Sequence, residues 1–284
     1  MSASIHRITA ATSGGKSMHL WEPLIRAYTD YLDAIGQPTT TIGLRDWQVR
    51  SLAKTLGVRP DRVDTQSLVD FLKLHRDWKA DTRRSFRDGI NGFFRWAVKF
   101  GHLPANPVDD LPTVRGSKGK PKPCPENVYR AALLKADERQ TLMLKLGADA
   151  GLRRGEICQV HRNDLRRTTG GPELLVRGKG AKQRIIPVTE DIAERIERAS
   201  AYCFPSLRGA HLTPTAVGVM LSDLLGSPWT AHTLRHRYAT AVYRASKDLR
   251  ALQELLGHSS LAITQRYVDT SQDEMRAAML AGIA

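Results

Sequence analysis

The sequence predicts a mostly α protein with one small β-hairpin, divided into two domains by a basic linker. Three observations carry this. Apolar residues recur at three- and four-residue spacing through most of the 284 positions. One stretch alone, ELLVRGKGAKQRIIPVT (Glu173–Thr189), holds two β-rich runs joined across Gly178-Lys179-Gly180. PTVRGSKGKPKPCP (Pro112–Pro125) breaks both periodicities with proline and glycine.

Residues 1–17 read as a polar tail. Trp21–Ile35 places Leu24, Ile25, Tyr28, Tyr31 and Leu32 on one helical face, and Thr41–Leu56 and Thr65–His75 repeat the pattern. Asp81–Phe100 adds Phe86, Ile90, Phe93, Phe94 and Ala97, completing an all-α domain over 18–111. On that helix Arg83, Arg84 and Arg87 are candidate phosphate contacts; the alternative is a solvated face balanced by Asp81 and Asp88. The linker spans 112–125. Beyond it, in a domain over 126–284, helices are expected at Glu126–Lys135 and Asp137–Asp149, then the hairpin. Further helices follow at Asp191–Ala201, Thr213–Leu224, Ala231–Ala245, Leu249–Leu256, Ser260–Asp269 and Gln272–Ile283.

Net charge is +14 with a sequence pI near 10.0, which points to an anionic polymeric partner. Its placement says more. Residues 18–111 hold 14 basic against 12 acidic side chains. The linker holds four basic residues, Arg115, Lys118, Lys120 and Lys122, and no acidic one. Within Arg153–Arg184 the count is 9 against 3, and the rest of the second domain balances. The three cysteines are odd in number and widely spaced, which argues for a reducing cytoplasm rather than a disulfide framework. No apolar run reaches the ~18 residues of a membrane span. Cys158 and His161 form a lone C-x-x-H without a second pair, a poor metal site. GGKS in the tail lacks the first glycine of a phosphate loop, since that position is Ala10, so no nucleotide site is expected.

Four local patterns stand in order along the second domain. AGLRRGE places Arg153 and Glu156 three residues apart at a helix start. RGKGAKQR puts Lys179 at the hairpin tip. HTLRH sets His232 and Arg235 at i,i+3 on one helical face. LLGHSSLAITQRYVD puts His258 in a turn and Tyr267 nine residues later. Singly these are weak: Arg153 with Glu156 is an ordinary ion pair, Lys179 a turn residue, Tyr267 a core tyrosine.

Together, behind a helical domain and a basic linker, they resemble the tyrosine recombinases, or phage integrases, over nearly the whole chain from Met18. The resemblance implies a two-domain DNA clamp with an all-α core-binding domain, of the simple type without a separate arm-binding domain. It implies that Tyr267 attacks a DNA phosphodiester, forming a 3′-phosphotyrosine and freeing a 5′-hydroxyl. The transition state gathers charge on the non-bridging oxygens, and planar, permanently charged guanidiniums suit it. The resemblance assigns those to Arg153 and Arg235, with His258 as a further donor. A phenol with an ordinary pKa near ~10 needs a proton acceptor, which would be His232. The departing 5′ oxygen needs a proton, for which Lys179 is placed. Glu156 would orient Arg153 or a histidine. No metal, ATP or other cofactor is required, because the phosphotyrosine conserves the ester's energy. Tyr238 lies about 240° around its helix from His232 and reads as packing. Arg154, Lys182 and Arg184 are candidate backbone-phosphate contacts.

The implied partners are double-stranded DNA core or attachment sites and a homotetramer on synapsed DNA, with no membrane. Integration or excision of a phage or mobile element in a bacterial cytoplasm is the leading expectation. Xer-like resolution of replicon dimers, type IB topoisomerase-like relaxation and non-catalytic DNA binding are the alternatives.

Overall fold

The computed structural model describes residues 17–113, 121–178 and 182–257, with isolated positions 264 and 280. Apart from those two positions, the expected helices at 260–269 and 272–283 lie outside the described residues, as do Arg115, Lys118 and Lys120 of the linker. The chain divides into two compact units, residues 1–118 and 119–284. No helix among the described residues is long and apolar enough to cross a membrane.

The first unit is helical: α1 (Met18–Ala34), α2 (Thr39–Leu56), α3 (Thr65–Leu74) and α4 (Ala80–Lys99). The apolar stripes of α1, α3 and α4 supply much of its core, in which Trp21, Phe71, Phe86, Phe93 and Phe94 are fully buried. Trp21 stacks on Phe93 at 5.8 Å and its indole N–H donates to the Val58 carbonyl at 2.8 Å, so the buried polar atom is satisfied. The α2–α4 crossing is close because Gly89 has no side chain: a Cβ there would stand 1.8 Å from the buried Gln48 Oε1. Gln48 donates across the crossing to the Ser85 carbonyl at 3.0 Å.

The second unit is α+β. α5 (Glu126–Lys135) and α6 (Glu138–Ala148) precede the single turn α7 (Arg154–Ile157), a three-stranded antiparallel sheet and α8 (Glu190–Glu197), α9 (Pro214–Leu225), α10 (Ala231–Ser246) and α11 (Leu249–Leu256). The sheet order is β1 (Leu165–Thr168), β2 (Gly171–Arg177), β3 (Gln183–Pro187). The expected hairpin is β2–β3, with Leu174 opposite Ile186 and Val176 opposite Arg184. β1 is an added edge strand that periodicity does not announce, since LRRT holds one apolar residue.

Core packing fixes α10, the helix that carries His232 and Arg235. Leu234 is fully buried against α6, where Gly147 permits the approach: a Cβ on Gly147 would lie 3.1 Å from Leu234 Cδ1. Arg237 ties the same helix to α5 and α6, pairing with Glu126 at 2.7 Å and Asp149 at 3.1 Å over the Tyr129 ring. The backbone N–H of Cys124, at the linker's end, donates to the Thr233 carbonyl at 2.9 Å.

Candidate active site

The site is built around one buried carboxylate. Arg153 caps α7 in extended conformation, and Glu156, three residues on, reaches back so that its Oε2 accepts the Arg153 backbone N–H at 2.9 Å. This is the reciprocal half of a capping box, and it fixes the carboxylate at a helix start where negative charge is favoured. The Arg153 guanidinium donates to Glu156 Oε1 at 2.8 Å. From β3, Arg184 donates to both oxygens, Nη1 to Oε1 at 3.0 Å and Nη2 to Oε2 at 2.9 Å. From α10, Arg235 Nη1 stands 3.7 Å from Oε2. Glu156 is 4% exposed; burial alone would raise its carboxyl, but the hydrogen bonds and charge of Arg184, the Arg153 amide and the Arg235 charge hold it at about 2.

A second meeting point is the C-terminus of α11, whose last carbonyls lack helical partners. Arg235 Nη2 donates to the Leu256 carbonyl at 2.6 Å, and its Nη1 to the Gly151 carbonyl at 2.6 Å. Arg153 Nη1 reaches the same Leu256 carbonyl at 3.5 Å, and Arg184 Nε the Leu255 carbonyl at 2.9 Å. Arg235 is 1% exposed, whereas Arg153 is 43% exposed and free to face a ligand. Gly151 adopts a left-handed conformation with φ +68°, and Tyr238 packs against it; a Cβ there would meet the ring at 2.4 Å. Burial pushes the Tyr238 phenol up, with Arg184 and Arg235 pulling the other way.

Of the sequence candidates, the fold therefore brings Arg153, Glu156 and Arg235 together. His232 is exposed one turn before Arg235, its ring 4.3 Å from that of His236. Lys179 lies outside the described residues. The Gly178 N–H donates to the Lys182 carbonyl at 2.7 Å, and a Cβ on Gly178 would stand 3.7 Å from Glu156 Oε1. His258 and Tyr267 also lie outside the described residues; Gly257, the left-handed cap of α11, immediately precedes His258.

Two candidate phosphate contacts are placed otherwise than the sequence suggests. Arg184 is 13% exposed and committed to Glu156 and Leu255, because strand alternation gives it the same inward face as the buried Ile186. Arg87 is 12% exposed and donates to the Leu111 carbonyl at 2.7 Å, closing the end of the first unit's core rather than facing solvent. Arg83 donates to the Arg76 carbonyl. Arg84, Lys122, Arg154 and Lys182 are exposed, with Arg154 leaning over Gly218 of α9.

A family model described as the phage integrase family matches residues 126–274, more than half of the chain, including Arg153, Glu156, Arg184 and Arg235. The chain belongs to the phage integrase family. Enzymes of this family, the tyrosine recombinases, exchange DNA strands by tyrosine transesterification. Among curated relatives of this integrase-family chain, tyrosine recombinase XerC of Rhodospirillum centenum is 34% identical over 222 residues, covering 69% of this chain and 64% of the relative. The chain thus spans somewhat less than two thirds of that relative's length. Tyrosine recombinase XerD of Pseudomonas aeruginosa is 29% identical over 252 residues, covering 78% and 82%. Among solved structures, a lambda integrase dimer bound to a COC′ core site matches with TM-score 0.70 at 21% identity, covering 87% of this chain and 77% of that one. XerH bound to palindromic difH substrate, a post-cleavage complex, matches with TM-score 0.66 at 20% identity, covering 84% and 78%. These two likenesses establish the integrase fold.

Proposed function

We propose that this chain is a site-specific DNA recombinase that cleaves and rejoins strands through a 3′-phosphotyrosine on Tyr267. The observation that carries the reading is the convergence of Arg153 and Arg235 on one carboxylate and one helix end, the end that leads into His258. Two guanidiniums held together in this way suit the non-bridging oxygens of a single phosphate. In the reaction, the Tyr267 oxygen bonds to phosphorus as its proton passes to His232. The bond from phosphorus to the 5′ oxygen breaks, and Lys179 donates the proton that makes the 5′-hydroxyl. Attack by another strand's 5′-hydroxyl reverses the step and rejoins DNA. Glu156 orients the arginines, His258 adds a donor to the phosphate, and Arg84, Lys122, Arg154 and Lys182 contact the backbone.

A nicked suicide duplex tests this directly. The native chain is expected to form a covalent adduct and Tyr267→Phe none; an adduct with Tyr267→Phe would remove the nucleophile assignment.

The biological setting we propose is strand exchange between short DNA sites by a tetramer. Integration of a phage or mobile element fits the family as a whole. Resolution of replicon dimers is favoured by one observation, that the relatives above carry the XerC and XerD names. Accumulation of multimeric replicons on deletion of the gene would support resolution. An attachment site and phage genes beside the gene, without multimers, would support integration.

A further inference from the structure

Arg184 has no part in the reaction proposed above, yet three hydrogen bonds tie it to the carboxylate and the helix end on which Arg153 and Arg235 converge. It closes both oxygens of Glu156 in fork geometry, and its Nε holds the Leu255 carbonyl, three residues before His258. Its own strand continues the hairpin whose tip is Lys179, five residues earlier. Its Cδ also fills the space a side chain on Gly257 would need, at 2.9 Å from that Cβ position. Three elements carrying reaction groups, α7, the β2–β3 hairpin and the end of α11, therefore meet at this one guanidinium.

We propose that Arg184 is a positioning residue, which neutralises Glu156 and locks the hairpin to the end of α11 so that Arg153 and Arg235 present their charge to the scissile phosphate. The inference rests on the recombinase reading. Its physical core is charge balance. A buried carboxylate facing Arg153 and Arg235 alone would draw both guanidiniums inward and cancel part of the field meant for the phosphate. With Arg184 satisfying the carboxylate bidentately, that field is kept. Lysine cannot replace it, because one ammonium cannot span two carboxylate oxygens and a carbonyl together.

The test is a double-mutant cycle of Arg184→Met and Glu156→Gln, read as the rate of covalent adduct formation at saturating suicide duplex, below the unfolding temperature of every variant. The salt dependence of DNA affinity is measured in parallel. Arg184→Met should slow adduct formation by about 100-fold, the cost of misplacing a reacting group by about an ångström. Adding Glu156→Gln, which removes the stranded carboxylate, should restore at least tenfold of it. The slope of log affinity against log salt should match the native protein, because no phosphate contact is lost. Arg184→Lys, which retains the charge, should remain at least tenfold slow.

Additive effects in the cycle, or a salt slope reduced by about one, would overturn the inference and return Arg184 to the role of phosphate contact. Absence of any adduct with the native chain would instead overturn the recombinase reading, so the two failures are distinct.

Discussion

At the residue scale the site turns on Glu156. Its folded carboxyl sits at about 2 against an ordinary 4.5, because Arg184, Arg153 and Arg235 outweigh the burial that would raise it. A depressed acid contributes stability that is complete above its unfolded value and disappears as pH falls through the folded one. The contribution is roughly 3 kcal/mol, lost between about pH 5 and pH 2. Denaturant melts of the native chain should therefore lose stability across that window more steeply than those of Glu156→Gln, which lacks the titrating group. Parallel pH profiles for the two would show that the carboxylate is not held by the arginines. The other depressed acids, such as Glu22 beside Arg50 and Asp191, are common to both proteins and cancel in the difference.

At the element scale, α10 is held where glycines let other segments approach it. Gly151 serves twice, since its left-handed backbone turns the chain and its carbonyl anchors Arg235. Gly151→Ala would place a Cβ in a disfavoured backbone region and against the Tyr238 ring. It should destabilise the chain by about 2–4 kcal/mol in chemical denaturation. An unchanged midpoint would mean that the ring moves aside freely. Most elements were legible because their apolar stripes are regular: the aromatic faces of α1 and α4 announce helices whatever they pack against. β1 was not, because LRRT is an edge strand whose Arg167 faces outward to Glu190 and Glu197, leaving no alternation to detect. Of the site, the pairing of Arg153 with Glu156 was legible, since a three-residue spacing at a helix start fixes relative direction. The role of Arg184 was half legible. Its two-residue offset from Ile186 turns it inward, but the carboxylate it meets lies 28 residues earlier, beyond any local pattern. The anchoring of Arg235 by Gly151 and Leu256 likewise arises only once α6, α10 and α11 have packed.

At the scale of the whole molecule, the proposed engagement of DNA depends on where the charge lies. The excess of +14 is concentrated in the linker and in Arg153–Arg184, not spread evenly. The bonds of Arg87 to the Leu111 carbonyl and of Arg184 to Glu156 and Leu255 take these two out of the candidate backbone contacts, leaving the exposed arginines and lysines to displace counterions. Affinity for duplex DNA should still fall by about 10³-fold or more between 50 and 200 mM salt if six or more contacts form. A flat salt response in a binding titration would contradict electrostatic engagement by both units. The end of α11 carries a different implication. Its last two carbonyls receive guanidiniums from three distant parts of the chain, so the helix acts as a measuring rod whose tip must stop at a fixed point. One residue inserted along it would swing that tip by about 100° and shift it by about 1.5 Å, releasing every donor at once. What the end of α11 receives therefore fixes the number of its steps, whereas its exposed face carries no such constraint.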